Sequence, residues 1–394
     1  MPWRSTAAAP PSIDTMSAPS ENSRRDPGGG VLIGRPFGVP VYVTPTWFLV
    51  AALITFGFAG SVEAEVAGIG QWKYAVSLSF AVLLYLSVLI HELSHTVVAL
   101  KSGLPVRRIS LYLLGGVSEI EKPAPTPGRE AGIAVAGPLV SLLLGGLAYI
   151  GYELLAPGTV GRVLAQALMY SNLVVGVFNM LPGLPLDGGR VLSAGVWKAT
   201  GRRHTGTIVA AWFGRGVAVI VLLLPALMSQ RAGNAPDLVD LIWGALLASF
   251  IWVGASQALQ TAHVQGRIPG LSARSLTRRA IPVPFDTPLA ESLRRLHESG
   301  ARGLVVVSAD GTPVGIVNEE AVRATPEHRR PWVPVGDLSR RLEPDHVVEA
   351  DLAGEDLVAA LTRRPASEYL VVEANGDIYG VLASADVERA VARR

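Results

Sequence analysis

Six stretches of this chain, at roughly 41–60, 74–100, 131–155, 162–182, 207–228 and 239–260, are apolar over about the 20 residues that a helix needs to cross a bilayer. Inside hydrocarbon no water meets a free backbone N–H or C=O, so such stretches become helices that satisfy their own backbones. The expected fold is therefore a polytopic α-helical membrane protein of about six transmembrane helices. The rest of the chain has to fold outside that bundle. Overall the chain is 49% hydrophobic and 17% charged, with a mean hydropathy of +0.37. Arg215 interrupts the fifth stretch. It reads either as an arginine snorkelling near a helix end or as one that faces an internal polar site.

The loops carry an orientation. With the amino terminus in the cytoplasm, the inside segments hold Arg24, Arg25 and Arg35, then Lys101, Arg107, Arg108, Lys122 and Arg129, then Arg190, Lys198, Arg202 and Arg203. The outside segments hold Lys73, Arg162 and Arg231, one apiece. This asymmetry follows the positive-inside rule, and six crossings return the carboxyl terminus to the cytoplasm. The expected location is the cell membrane, and the Ala-, Gly-, Arg- and Val-rich composition is compatible with a high-GC bacterium. Residues 1–34 read as a disordered tail that lacks the apolar core of a signal peptide. There are no cysteines, which excludes a disulfide framework and any thiolate zinc site. A net charge of only +2 gives no general attraction to nucleic acid.

The second stretch contains an anomaly. Between Tyr74 and Leu100 the only Asp, Glu, Lys, Arg or His side chains are His91, Glu92 and His95, in the segment HELSH. Residues i and i+4 share a helix face, so His91 and His95 can bind one metal ion together. Glu92 lies beside them and can take a proton from a metal-bound water. Ionisable groups at membrane depth are costly and are retained where they pair, line a cavity or bind something. The chain's other five histidines all lie outside the apolar stretches, which argues against a chance match.

A catalytic zinc takes three protein ligands and keeps one position open. Asp187, in FNMLPGLPLDGGRVL at 178–192, is the only acid between Glu153 and Asp237. Pro182 and Pro185 would break the fourth helix before it, and Gly188 and Gly189 would let the backbone turn and approach a neighbour. Irregular backbone at this depth is tolerated only inside protein or beside a water-filled cavity. The plainer reading of Asp187 is a helix N-cap at the membrane surface.

Together the two motifs resemble the site-2 protease family of intramembrane zinc metalloproteases. That family pairs H-E-x-x-H on one transmembrane helix with N-x-x-P-x-x-P-x-D-G-G near the end of a later one. Here the second motif reads Asn179, Pro182, Pro185, Asp187, Gly188 and Gly189. The resemblance implies His91, His95 and Asp187 as ligands of one zinc ion, Glu92 as the residue that activates water, and Asn179 as a group that holds or polarises the substrate carbonyl. The segments LYLLGGV (111–117) and AVAGPLVS (134–141) are similar to its Gly-Gly and A-G-P segments. Ser141 stands where the family often has Asn, a departure expected to touch no metal ligand. The resemblance spans about 35–260.

The chemistry this implies is hydrolysis of a peptide bond by a zinc-activated water, with Glu92 passing the proton to the leaving amine. His91 lies about 15 Å below the cytoplasmic end of its helix, so a polar channel has to bring water to that depth. The implied substrate is a single-span membrane protein already trimmed outside the membrane, for example an anti-sigma factor, cut in regulated intramembrane proteolysis. The strand-forming stretch 109–121, ISLYLLGGVSEIE, reads either as an edge that accepts an extended substrate or as a re-entrant connector. The competing function is a non-proteolytic metal-binding membrane protein or transporter. Repeated membrane halves would favour that reading, and 41–260 has none.

The remainder of the chain is different in kind. Residues 286–322 lie on residues 351–387 at a constant offset, which sets Asp286 on Asp351, Gly311 on Gly376 and Gly315 on Gly380. Each copy reads as helix, buried strand, turn, second strand and helix start. This repeat resembles a tandem pair of CBS modules, a soluble α/β fold that in many proteins binds adenine nucleotides. The ribose and phosphate contacts there usually include a Thr or Ser followed by an Asp three positions on. The first copy has Asn318 and Ala321, the second Ala383 and Asp386, so only Asp386 is retained. The alternative is a ligand-free module that makes a homodimer or a scaffold. The expected organisation is a tail at 1–34, a six-helix metalloprotease domain at 35–262, a polar linker at 263–275 and repeats at 276–332 and 333–394.

Overall fold

The computed structural model describes residues 30–112, 115–231, 233 and 237–392. The tail expected over 1–34 lies outside the described residues up to residue 29, while Val31–Gly34 form strand β1. The chain divides into two compact units after Ser256.

The first unit is built from helices α1 (Thr46–Glu65), α2 (Trp72–Lys101), α3 (Pro127–Leu154), α4 (Val160–Asn179), α5 (Asp187–Thr200), α6 (Arg203–Arg231) and the part of α7 (Leu238–Arg267) up to Ser256. Among the described residues six helices, all of these except α5, are long and apolar enough to cross a membrane. Their outward faces are apolar: Leu139, Leu143 and Leu147, one turn apart on α3, are all exposed, as a surface solvated by lipid requires. Their inward faces are small. Gly206, Ala210, Gly214 and Ala218 form one buried stripe on α6 at a spacing of four. Between α3 and α4, a Cβ on Gly145 would stand 3.3 Å from the Leu173 nitrogen, and one on Gly176 would stand 2.8 Å from Leu142. Helices in lipid gain little from hydrophobic burial, so close backbone approach of this kind is what holds them together.

Two chain segments depart from the helical pattern, and both serve the site. Strands β1, β2 (Val41–Val43), β3 (Val106–Tyr112) and β4 (Gly115–Ile120) form a sheet in that order, with β2 and β3 parallel and the other pairs antiparallel. Val41, Ile109 and Leu111 pack the sheet on Val88, Leu89 and Leu93 of α2. The second departure is 180–186, where α4 stops short of Pro182. Gly183 and Gly214 meet backbone to backbone, the Leu184 amide donates to the Ala210 carbonyl at 3.0 Å, and Pro185 fills the space over Gly254 of α7.

Arg215 lies near the middle of α6, not near an end. Its guanidinium donates to Ser256 Oγ at 3.1 Å and sits between the rings of Trp212 and Trp252, 4.8 and 5.0 Å from their centroids. Cation–π contact with two indoles and one hydroxyl offsets part of the cost of the charge, and the buried Nε has no hydrogen-bond partner among the described residues.

The second unit holds one seven-stranded sheet. Its first repeat is β5 (Arg278–Pro284), α9 (Leu289–Ser299), β6 (Gly303–Val307), β7 (Pro313–Val317) and α10 (Glu319–Ala324). Its second is β9 (Val347–Glu349), α11 (Gly354–Arg363), β10 (Glu368–Val372), β11 (Ile378–Ala383) and α12 (Ser384–Ala392). With the short α8 (Ala273–Leu276) and β8 (Ser339–Arg341), the sheet order is β8-β7-β6-β5-β11-β10-β9, so β5 and β11 join the repeats. Each repeat borrows the segment that precedes the other. Leu271 and Ala273 enter the core around Leu357, Tyr369 and Leu382, whereas Val335 enters the core around Val283, Leu289 and Leu304. The stretch 263–275 thus contains the last turn of α7, a 3-10 turn at Ile268–Gly270 and the start of α8.

Leu357 is fully buried at the centre of that borrowed core. Leu357→Ala is expected to destabilise the second unit by about 2–5 kcal/mol, measured by chemical unfolding of residues 257–394 followed by circular dichroism. A loss below about 1 kcal/mol would contradict the packing described.

Candidate metal centre

Helix α2 places His91 and His95 one above the other, with Glu92 alongside, and all three are less than a tenth exposed. Helix α3 fixes the outer nitrogens of both rings. His91 Nδ1 lies 2.9 Å from Ser141 Oγ, and His95 Nδ1 lies 2.7 Å from the Ile133 carbonyl. A carbonyl only accepts, so His95 Nδ1 carries the proton and its Nε2 presents a lone pair. Ile133, Gly137 and Ser141 are spaced by four and share one α3 face. Gly137 lets that face come close: a Cβ there would stand 2.5 Å from His91 Nε2 and would also overlap His95 Nε2.

Asp187 arrives from the other side. It is the first residue of α5 and makes no cap hydrogen bond; the N-cap position is Leu186. Gly188 and Gly189 bring the start of α5 against the backbone of 180–184, where a Cβ on either would overlap main-chain atoms. Asp187 Oδ2 then stands 3.3 Å from His91 Nε2 and 3.3 Å from His95 Nε2, and the two Nε2 atoms are 3.2 Å apart. Among the described residues these three form the cluster that could hold a metal ion.

The donor set fits zinc. Ligands at about 2.0 Å in a tetrahedral arrangement lie about 3.3 Å from one another, which matches the observed triangle. Two imidazole nitrogens and a carboxylate oxygen facing one point repel each other unless a cation or a shared proton lies between them. The outer nitrogens are held by a hydroxyl and a carbonyl, as metal-bound histidines require. The bare Cα of Gly137 leaves the space that a Cβ would fill.

Glu92 is held by the sheet. Ser118 Oγ on β4 donates to its Oε2 at 2.8 Å. Asn179, the last residue of α4, is partly buried, and among the described residues its side chain makes no hydrogen bond. The carboxylate of Asp386, on α12 of the second unit, is ion-paired with Arg389 and, at 2.9 Å, with Arg278, which also reaches Glu319 at 2.9 Å. The Asp386 carboxylate is the main cause that holds the Arg278 guanidinium above its usual range. Asn318 caps α10, accepting from the Glu320 and Ala321 amides.

Comparison with known proteins gives the same picture. The model of peptidase family M50 matches residues 79–168 and 156–223, and the CBS domain model matches 273–325. A Synechocystis protein whose name places it among the zinc metalloproteases, sll0528, is 30% identical over 91% of this chain and 94% of its own length. Rip3 of Mycobacterium tuberculosis, named in the same way, is 32% identical over 91% of this chain and 92% of its own. The chain belongs to peptidase family M50. It is similar to the solved site-2 protease from Methanocaldococcus jannaschii at 29% identity, over 58% of this chain and 95% of that one, with a TM-score of 0.41. As a member of M50 the chain is a multi-pass membrane zinc metalloprotease of the site-2 type, with a CBS module at its carboxyl end.

Two partners of this centre were not legible from the sequence. Ser118 has no motif of its own. Ser141, expected to touch no metal ligand, bonds His91 directly. Its spacing of four from Gly137, and that of Ile133, was the available signal.

The closeness of Gly137 to both Nε2 atoms generates a test. Gly137→Ala is expected to reduce zinc from about one per chain to a small fraction, measured by elemental analysis of the purified protein with helicity by circular dichroism as the folding control. Full zinc occupancy in the variant would contradict the site described.

Proposed function

We propose that this M50 protease cuts single-span membrane proteins within the membrane, with His91, His95 and Asp187 holding one zinc ion and Glu92 acting as general base and then general acid. The observation that carries the reading is the triangle of donor atoms 3.2–3.3 Å on a side, with Glu92 next to His91 on the same helix. Zinc bound there would supply an electrophilic centre that acidifies water and polarises a carbonyl. Glu92, its carboxylate held by Ser118, takes the proton of the attacking water and returns it to the leaving amine. The unengaged Asn179 amide is free to donate to the substrate carbonyl oxygen as charge develops there.

The substrate must be extended before it is cut, because a helix shields its own peptide bonds. Among the described residues strand β4 is the edge of its sheet and pairs within it only with β3, which supports strand addition by an unwound substrate. A single-span regulator such as an anti-sigma factor suits a site at this depth. The charge asymmetry of the loops supports cytoplasmic termini and a cell-membrane location. The CBS pair then lies in the cytoplasm, where it regulates the protease or dimerises it. An adenine nucleotide reaching Asp386 has to displace Arg278 and Arg389. The cavity of about 460 Å³ beside them, lined also by Arg279 and Arg302, is the place where its phosphates would meet positive charge.

Glu92→Gln keeps the size of the side chain and removes its basicity. It is expected to lower cleavage of a single-span reporter by at least about 100-fold while zinc content stays at the wild-type level, measured on the purified protein in detergent. A variant that still cleaves at near the wild-type rate would contradict the role of Glu92.

A further inference from the structure

Glu92 leans on a strand. Residues i and i+2 of a strand share a face, and Gly116 and Ser118 of β4 both face Glu92. Gly116 gives it room: a Cβ there would overlap Glu92 Cγ and stand 3.0 Å from Cδ. Ser118 gives it a hydrogen bond. Ser118 Oγ lies 2.8 Å from Glu92 Oε2 and 3.3 Å from the Glu92 carbonyl, and Thr96 Oγ1, one helical turn further along α2, donates to it at 3.3 Å. A hydroxyl has one proton, and the shorter contact takes it. Thr96 therefore donates to Ser118, and Ser118 donates to the carboxylate. Among the described residues no other side chain hydrogen-bonds the carboxylate of Glu92.

Ser118 lies on β4, the edge strand of its sheet among the described residues. With Arg107 of β3 and with Glu119, Ile120 and Glu121 it also lines an open cavity of about 620 Å³ shared by the two strands. The residue that bonds the proton-handling carboxylate thus belongs to the strand that an extended substrate would pair with.

We propose that Ser118 is a positioning residue for Glu92, through which β4 couples the seating of an extended substrate to the placement of the carboxylate. The inference rests on the protease reading given above. The Ser118 hydroxyl fixes the Oε2 of a side chain that otherwise rotates about its last torsion, and the missing side chain at Gly116 leaves the space that Glu92 occupies. A substrate paired along β4 sets the height of Ser118 and hence of Oε2. A hydroxyl that served packing alone would show its loss in zinc content and substrate affinity. One that positions the carboxylate shows it in turnover.

The test uses the full-length protein in detergent micelles, with a synthetic single-span peptide carrying a fluorophore and a quencher as probe. Ser118→Ala is expected to lower kcat roughly 10- to 100-fold, in line with the cost of a misplaced catalytic group. KM is expected to stay within about twofold of wild type under the same argument, and zinc content to stay at the wild-type level. Ser118→Thr, which restores a hydroxyl, is expected to recover most of the lost turnover. Wild-type kcat in Ser118→Ala, a Thr variant as slow as the Ala variant, or a loss confined to KM or zinc would overturn the proposal. A wild-type protein that binds zinc but leaves the probe uncut would instead overturn the protease reading beneath it.

Discussion

Three electron-rich atoms, two imidazole nitrogens and one carboxylate oxygen, meet within 3.3 Å of one another inside a bundle of apolar helices. Away from bulk solvent their repulsion is poorly screened, so their convergence has to be built by the surrounding backbone and balanced by a cation or a shared proton. Much of the first unit can be understood as meeting those two demands. Helix α3 comes near enough to orient both rings because position 137 has no side chain. Helix α5 begins where it does because 180–186 is clamped by Gly183, Gly214 and Gly254 against α6 and α7. The fourteen-residue α5 starts at Asp187, which sets that carboxylate beside His91 and His95.

The division of labour among elements is consistent. Helices α2 and α5 carry the three donor side chains, and α3 supplies the partners that orient the two histidines. Among the described residues no sheet residue hydrogen-bonds the His91, His95 or Asp187 side chains, but Ser118 of the sheet bonds Glu92. On the mechanism proposed, the group that accepts and releases a proton is thus attached to the sheet, while the groups proposed to hold the metal are attached to packed helices.

The spans and their polar intruders were legible because lipid makes ionisable side chains rare: His91, Glu92 and His95 stand out against an otherwise apolar run, and Asp187 against eighty residues without another acid. The strands at 109–121 were legible from their composition, and the repeat in the second unit from its constant offset. What could not be read were contacts that a small residue makes by being small. Ser118 and Ser141 resemble any serine in a strand or a helix, and only the folded chain sets them beside Glu92 and His91. Arg215 was ambiguous because its compensation comes from two tryptophans, one of them on another helix, and from Ser256. The exchange of leading segments between the two repeats was hidden because Leu271 and Ala273 sit in a stretch that composition marks as polar.

X-ray absorption at the zinc K edge of the purified full-length protein probes the ligand set most directly. Copurified zinc with a light-atom shell at about 2.0 Å and the scattering signature of two imidazoles, changed by Asp187→Asn, is the result expected. A protein purified without zinc, or a zinc spectrum with fewer than two imidazoles that Asp187→Asn leaves unaltered, would contradict the assignment of this centre.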